Sequence, residues 1–311
     1  MSLFTEQINN WDDWGNIFQS ISAFTPLIEQ IFRKENLPMA TVENLTPGTN
    51  AVFKVGGYVV KIFVPISDGG KLWSYGTDVN VELFGMKWAN ALGVPSPKLI
   101  ADGVIEDKYY FRYMIMEYIN GKIFDQIKDS LTYEQRVTIG RNMRYITDKL
   151  NVPCENFTPI DVMAYAIENS GWEDEGFPES FCKELTAYLK DFHMGQKVYC
   201  HGDLHGGNII IDDNMNVFIT DFADAMYAPP EYEQVYVVNG FFNFERPYME
   251  GYFGDDYDIE DIVELCMKWL PVHAWTHGMD ELKPTAEIKS LGIMRERLRD
   301  LIERKNCTPS S

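Results

Sequence analysis

Nowhere in its 311 residues does this chain carry a run of about 18 apolar side chains, the length a helix needs to cross a bilayer. Its opening stretch joins no basic start to an apolar core and a cleavage site. These absences predict neither membrane spanning nor secretion, and the cytoplasm is the expected location. Cysteine is scarce: Cys154, Cys182, Cys200, Cys266 and Cys307 are odd in number and form no CxxC pair, which argues against a disulfide framework or a zinc site. Reduced thiols are expected. Positive charge is also short, with 27 Lys and Arg against 47 Asp and Glu, a net charge of −20. Residues 1 to 120 hold 9 basic and 13 acidic side chains and the remainder 18 and 34, so most of the excess is C-terminal. Such a surface repels a phosphate backbone and attracts cations, which disfavours nucleic acid as a partner. Apolar residues are plentiful at 45%, enough over this length for two cored lobes.

The most informative stretch is His201-Gly202-Asp203-Leu204-His205-Gly206-Gly207-Asn208, followed by Thr220-Asp221-Phe222. It matches the pattern of a kinase catalytic loop, in which an Asp receives a substrate hydroxyl proton and an Asn five positions later helps hold Mg²⁺. Asp221 stands where a second metal-binding carboxylate is expected. Ile209-Ile210-Ile211 and Val217-Phe218-Ile219 are short apolar runs, and the turn formers Asp212-Asp213-Asn214-Met215-Asn216 separate them, so a β-hairpin is predicted. That hairpin brings Asn208 back beside Thr220 and Asp221. Two oxygen donors then converge, which suits a hard cation that keeps water and phosphate as its other ligands.

Further upstream, Val59-Val60-Lys61-Ile62-Phe63 is an apolar strand broken by one lysine. In the kinase pattern such a lysine contacts the α- and β-phosphates and is held by a helix glutamate, for which Glu82 is the choice. Val81, Phe84, Trp88, Ala91 and Leu92 predict a helix over 79–92 that stops at Gly93-Val94-Pro95. A turn at Gly48, Thr49 and Asn50 is the candidate phosphate cover, although all three are also ordinary turn residues. The strand 109–118 ends at Ile119-Asn120-Gly121, so a lobe hinge is expected there, with backbone near Glu117 to Ile119 pairing with the base and Met116 or Tyr118 contacting its ring. Residues 14 to 32 carry apolar side chains at helical intervals that suit packing.

Between Glu231 and Glu264, ten carboxylates face a single basic residue, Arg246, and are interleaved with aromatics. Aromatic faces beside carboxylates can bind amines. Asp224, Glu231, Glu245, Tyr248, Asp255 and Asp256 are the substrate candidates, set against the plain alternative of a solvated acidic face with packed aromatics.

With these motifs in place, the chain resembles the aminoglycoside phosphotransferase family, related to choline and other small-molecule kinases. The resemblance spans about residues 45 to 225 and rests on HGDLHGGN, TDFADA, VVKIF, Glu82 before LGVPSP, and MEYINGK. It implies an α+β, two-lobed protein-kinase-like fold: an N-terminal nucleotide-binding lobe over 1–118 with an antiparallel sheet, and a mainly helical lobe over 119–311. It also implies ATP or GTP as phosphoryl donor, with Asp203 as catalytic base, Asn208 and Asp221 as Mg²⁺ ligands, and Lys61 paired with Glu82 at the phosphates. Thr220 departs from the isoleucine frequent in the family. Protein phosphorylation is disfavoured because Gly202 replaces the arginine of an HRD loop and Ala228-Pro229-Pro230-Glu231 follows Asp221 too closely for an activation loop. The region 122–198 and the helical C-terminus, including a capping box at Thr132 and Gln135, are expected to wall a pocket for a small hydroxylated, cationic acceptor. An aminoglycoside leads the acceptors, and choline, another amino alcohol, a sugar or a macrolide also fits the motif. A non-catalytic nucleotide-binding protein of the same fold is the competing class.

Overall fold

The computed structural model describes residues 2–46, 48–65, 79–168, 176–273 and 279–307. The chain divides into two compact units, 1–91 with 96–120, and 92–95 with 121–311. Among the described residues no helix is long and apolar enough to cross a membrane.

The first unit is built on five antiparallel strands, β1 (Val42–Asn44), β2 (Ala51–Val55), β3 (Tyr58–Ile62), β4 (Leu99–Glu106) and β5 (Tyr110–Glu117), in the order β1-β2-β3-β5-β4. Gly56 and Gly57 close the β2–β3 hairpin, with Gly56 at φ +61. Alternation along β3 sends Val60 and Ile62 into a core shared with Phe53, Phe111, Tyr113 and Ile115. Two helices cover that face, α1 (Trp11–Ile17) and α2 (Ile21–Lys34), through Trp14, Phe24, Leu27, Ile28 and Ile31. The sequence suggested one helical stretch over 14–32; Ser20 divides it, because its extended backbone and side-chain bond to the Ala23 N–H cap a new helix. The N-terminal arm belongs to the same core: Phe4 packs 5.0 Å from Phe111, and Asp107 accepts the Leu3 and Phe4 N–H groups at 3.1 and 2.8 Å. The same alternation turns Lys61 to the other face of the sheet, toward α3 (Val79–Leu92), which occupies the predicted span.

The second unit is mainly helical. Strand β6 (Lys122–Ile123) leads to α4 (Tyr133–Leu150), opened by the Thr132/Gln135 capping box, with both reciprocal bonds formed. Helices α5 (Val162–Glu168) and α6 (Glu179–Lys190) follow, then β7 (Val198–Cys200), β8 (Ile209–Ile211), β9 (Val217–Ile219) and β10 (Met226–Ala228). Strands β8 and β9 form the expected hairpin, with Ile209 opposite Ile219. Its turn is tied by Asp212, whose carboxylate accepts the Asn214 and Asn216 N–H groups at 2.8 Å each. Among the described residues, the helices α7 (Pro230–Tyr236), α8 (Arg246–Phe253), α9 (Ile259–Trp269) and α10 (Leu291–Cys307) follow. Helices α4 and α8 meet backbone to backbone at Gly140 and Gly251; a Cβ on Gly140 would lie 2.2 Å from the Tyr248 carbonyl oxygen.

Candidate active site

In the first unit, Lys61 Nζ lies 2.6 Å from Glu82 Oε1, and both side chains are buried, at 8% and 2% exposure. Burial makes the pair depend on each other, since either charge alone in that setting carries a desolvation cost of several kcal/mol. Asn50, proposed for phosphate cover, is buried and uses its Oδ1 to accept the Val64 N–H at 3.3 Å, so its oxygen ties the turn to the chain leaving β3. Thr49 lends its carbonyl to Trp14 Nε1 at 2.8 Å, while Gly48 is exposed with open space around it. Neighbouring Pro47 lies outside the described residues. Met116 is buried within the sheet. At the strand end, the Glu117 N–H bonds to the Lys98 carbonyl and the Tyr118 N–H to the Gly57 carbonyl, at 2.9 and 3.0 Å. Two of the backbone donors expected for a nucleotide base are thus spent within the unit, and Ile119 has the next N–H along.

The second unit gathers Asp203 and Asn208 into direct contact. Asn208 Nδ2 donates to the Asp203 carbonyl at 2.9 Å and to Asp203 Oδ2 at 2.8 Å. This clamp fixes the carboxylate and uses the amide nitrogen, leaving Asn208 Oδ1 as the side chain's oxygen donor. The hairpin then does the work expected of it: the Thr220 N–H and hydroxyl both donate to the Asn208 carbonyl, at 2.9 and 3.1 Å, and hold the start of the Asp221 segment against the loop. The family's frequent isoleucine at 220 could make only the first of these bonds. Asp221 is exposed and has a positive φ of 61, uncommon backbone for a residue other than glycine.

Four histidine contacts shape the loop. His201 is fully buried; its Nδ1 faces the Asp203 N–H at 3.4 Å, and its Nε2 lies 3.0 Å from the Thr220 carbonyl, so the Nε2–H tautomer joins both halves of the site. Burial holds its pKa below the usual value, against the nearby Asp203 charge. His205 accepts the Gly207 N–H at 3.0 Å through Nδ1 and points Nε2 at Asp203 Oδ2, 3.4 Å away. Burial pushes the Asp203 carboxyl up, but hydrogen bonds and charge from His205, with the Tyr236 hydroxyl, outweigh it, and the net direction is down. An ionised carboxylate is the form a proton acceptor requires.

Two residues that the sequence did not single out support this loop. Glu233, fully buried on α7, accepts the N–H groups of both His201 and Gly202, the latter at 3.2 Å. Burial pushes its carboxyl up to about 7, against those backbone donors and Asn151. Tyr236, one helical turn later, donates its hydroxyl to Asp203 Oδ1 at 2.8 Å. The available signal was a glutamate set among the buried positions Tyr232, Val235 and Tyr236 of a short helix. Its partners lie about thirty positions upstream, beyond any local spacing rule.

Asp203, His205 and Tyr236 open into a cavity of about 670 Å³ in the same unit. Asp125, Asp129, Glu245 and Glu281 supply carboxylates to its wall, and Lys128 and Arg136 supply cations. Of the six substrate candidates, Glu245 and Tyr248 line this cavity; Asp224, Glu231, Asp255 and Asp256 do not. The acidic stretch is also less available than its composition suggested. Glu245 pairs with Arg136 at 2.9 Å, Glu250 with Arg246 at 2.6 Å, and Glu260 with Arg295 at 3.2 Å, while Glu233 is committed to the loop. Its aromatics Tyr232, Phe241, Phe242, Phe244, Tyr248 and Tyr252 are buried packing residues.

No cluster of three or more His, Cys, Asp or Glu among the described residues could hold a metal ion by itself. Asn208 Oδ1 and the Asp221 carboxylate are nevertheless hard oxygen donors of the kind that Mg²⁺ takes, since that ion binds through one or two protein groups plus phosphate and water. Cys200, next to His201, is buried, and burial raises its thiol pKa well above the usual value, which removes it as a nucleophile.

The fold recurs in known structures. The GDP and kanamycin complex of APH(2")-IIia superposes with a TM-score of 0.56 at 18% identity, covering 90% of this chain and 95% of that one. The ADP-bound aminoglycoside phosphotransferase APH(2'')-Ib gives 0.52 at 14% identity, over 89% and 98%. Spectinomycin phosphotransferase APH(9)-Ia with ADP and spectinomycin gives 0.50 at 15%, over 90% and 98%. No curated protein sequence matches the chain. The family model described as the phosphotransferase enzyme family, APH, matches residues 82–265, from the Lys61 partner Glu82 through the catalytic-type loop into α9. More than half of the chain lies within that match, and the chain therefore belongs to the phosphotransferase enzyme family.

Proposed function

We propose that the protein moves the γ-phosphoryl group of ATP or GTP to a hydroxyl of a small amine-bearing molecule held in the cavity beside Asp203. The observation that carries this reading is the Asp203 carboxylate itself: clamped by Asn208, kept in the ionised direction, and set on the wall of a 670 Å³ cavity large enough for an aminoglycoside-sized ring system. Asp203 orients the acceptor hydroxyl and takes its proton. Asn208 and Asp221 are the residues that would hold Mg²⁺, and the ion, when bound, offsets phosphate charge. Lys61, held in place by Glu82, contacts the α- and β-phosphates. Relatives of the same fold support a nucleotide donor and an aminoglycoside acceptor, having been captured with GDP and kanamycin, with ADP and spectinomycin, and with ATP and streptomycin. In the cavity wall Glu245 pairs with Arg136, Asp125 with Lys128 and Glu281 with Lys305, and the carboxylates of Asp129 and Asp203 add negative charge beyond these pairs, which favours a cationic acceptor.

The test is a product screen by mass spectrometry over kanamycin, gentamicin, spectinomycin, choline, other amino alcohols and neutral sugars, run separately with ATP and GTP. Phosphorylated amines are the expected products. Turnover of neutral sugars alone would remove the cationic acceptor, and full activity in Asp203→Asn would remove the base, whose loss should cost about 10²–10⁴-fold.

A further inference from the structure

Asp203 presents two oxygens, and the protein treats them differently. Oδ2 takes the Asn208 amide at 2.8 Å and faces His205 Nε2 at 3.4 Å. A carboxylate oxygen offers about two lone-pair sites, so Oδ2 is filled by the loop's own side chains. Oδ1 takes one bond, from the Tyr236 hydroxyl at 2.8 Å, and keeps one site in hand. The phenol is placed by packing. Its ring stacks on His273 at 4.6 Å and 6°, and His273 stacks in turn on Tyr232 at 4.3 Å and 16°. Tyr232 and Tyr236 are four apart on α7, so one face of the helix carries both outer rings of this stack. Burial holds His273 down to about 4 and the Tyr236 phenol above its usual pKa, so the stack is uncharged and the hydroxyl keeps the proton it donates. Beyond Tyr236 the helix loosens into a π-helical turn over Val237–Phe241, which contributes Asn239, Gly240 and Phe241 to the same cavity wall.

From this asymmetry we propose that Tyr236 is a positioning residue: it fixes the carboxylate rotation of Asp203 and reserves Oδ1 for the acceptor hydroxyl in the cavity. The inference rests on Asp203 being the base. In the step it serves, the acceptor O–H bond breaks and its proton passes to Oδ1. The acceptor oxygen bonds to the γ-phosphorus, and the bond from that phosphorus to the bridging oxygen breaks to leave the nucleoside diphosphate. The tyrosine proton stays on the tyrosine throughout. A water molecule is small enough to follow the open site of Oδ1 as the carboxylate rotates, whereas a bulky acceptor held by the cavity must find Oδ1 where Tyr236 has set it.

Tyr236→Phe removes the hydroxyl and keeps the stacked ring. Kinetics are measured with ATP and GTP as donors and kanamycin and choline as acceptors, alongside nucleotide hydrolysis without acceptor and a thermal midpoint. The expected result is a kcat for transfer lower by roughly tenfold to a hundredfold, the scale of one hydrogen bond to a charged group, with donor KM and midpoint unchanged. Hydrolysis should fall less than transfer, so the ratio of transfer to hydrolysis drops. An unchanged kcat and ratio overturns the inference, and so does an equal fall in both reactions accompanied by a lower midpoint, which would mark a structural role. Asp203→Asn in the same assays separates the two levels: if it abolishes transfer while Tyr236→Phe behaves as the native protein, the base stands and this inference fails. If Asp203→Asn is fully active, or no acceptor is phosphorylated by the native protein, both fail.

Discussion

Removing the Lys61 ammonium from the first unit would test whether its pairing with Glu82 is structural, functional or both. The two charges are 2.6 Å apart with side-chain exposures of 8% and 2%, so neither is screened as a surface pair would be. Lys61→Met takes the cation away from a carboxylate that stays buried, a change that costs about 3–5 kcal/mol where buried pairs have been broken. At roughly 2–4 °C per kcal/mol for a chain of this size, the apparent melting midpoint should fall by about 6–20 °C. Replacing both residues, Lys61→Met with Glu82→Leu, removes the stranded charge and fills the space with apolar atoms, so most of that loss should be recovered. Turnover should not recover, because the cation assigned to the phosphates is still missing. Differential scanning fluorimetry on the four members of the cycle, with kcat and donor KM for each, reads both quantities. A Lys61→Met midpoint within about 2 °C of native would refute the argument from burial. Native turnover in the double variant would refute the phosphate contact.

Glu233 gives the pH dependence. Its folded value of about 7 lies above the ordinary 4.5, so the native state holds this proton more tightly than the unfolded chain. The associated stability is fully present below pH 4.5, declines as pH rises through 7, and amounts to roughly 3 kcal/mol in all. Glu233→Gln should flatten the midpoint between pH 4 and 8, and an unaltered slope would assign it to other groups. Gly202→Ala should abolish transfer and destabilise by about 2 kcal/mol or more, measured by urea unfolding. Gly140→Ala presses α4 against the Tyr248 carbonyl at 2.2 Å and should raise acceptor KM with donor KM unchanged, since Tyr248 lines the cavity. An equal rise in both constants would contradict that division.

What could be read from the sequence was local and periodic. The β8–β9 hairpin followed from two short isoleucine- and valine-rich runs around five turn formers, and Lys61 stood out as the one lysine in an apolar strand. The span of α3 and the Thr132 cap followed from spacing rules that act within one or two turns of helix. The break at Ser20 was missed because a single capping bond overrides a continuous apolar period. Glu233 and Tyr236 were missed because their meaning lies in partners about thirty residues away, which only the folded chain brings to them. The acidic stretch misled for a related reason. Composition counts charges, and Arg136, Arg295 and Arg299 reach those charges from other helices.

Gly202 has a φ of +82, and a Cβ there would sit 2.2 Å from the Asp224 carbonyl oxygen. The position therefore tolerates no side chain at all while the backbone of Asp224 stays where it is. An arginine could not arrive here by a single codon change and begin answering to a phosphate on a neighbouring segment. It would first need a different loop backbone and a different path for the chain after Phe222. The close approach at Gly202 thus excludes the arginine of an HRD loop, and with it the route by which that arginine answers to a phosphorylated neighbouring segment.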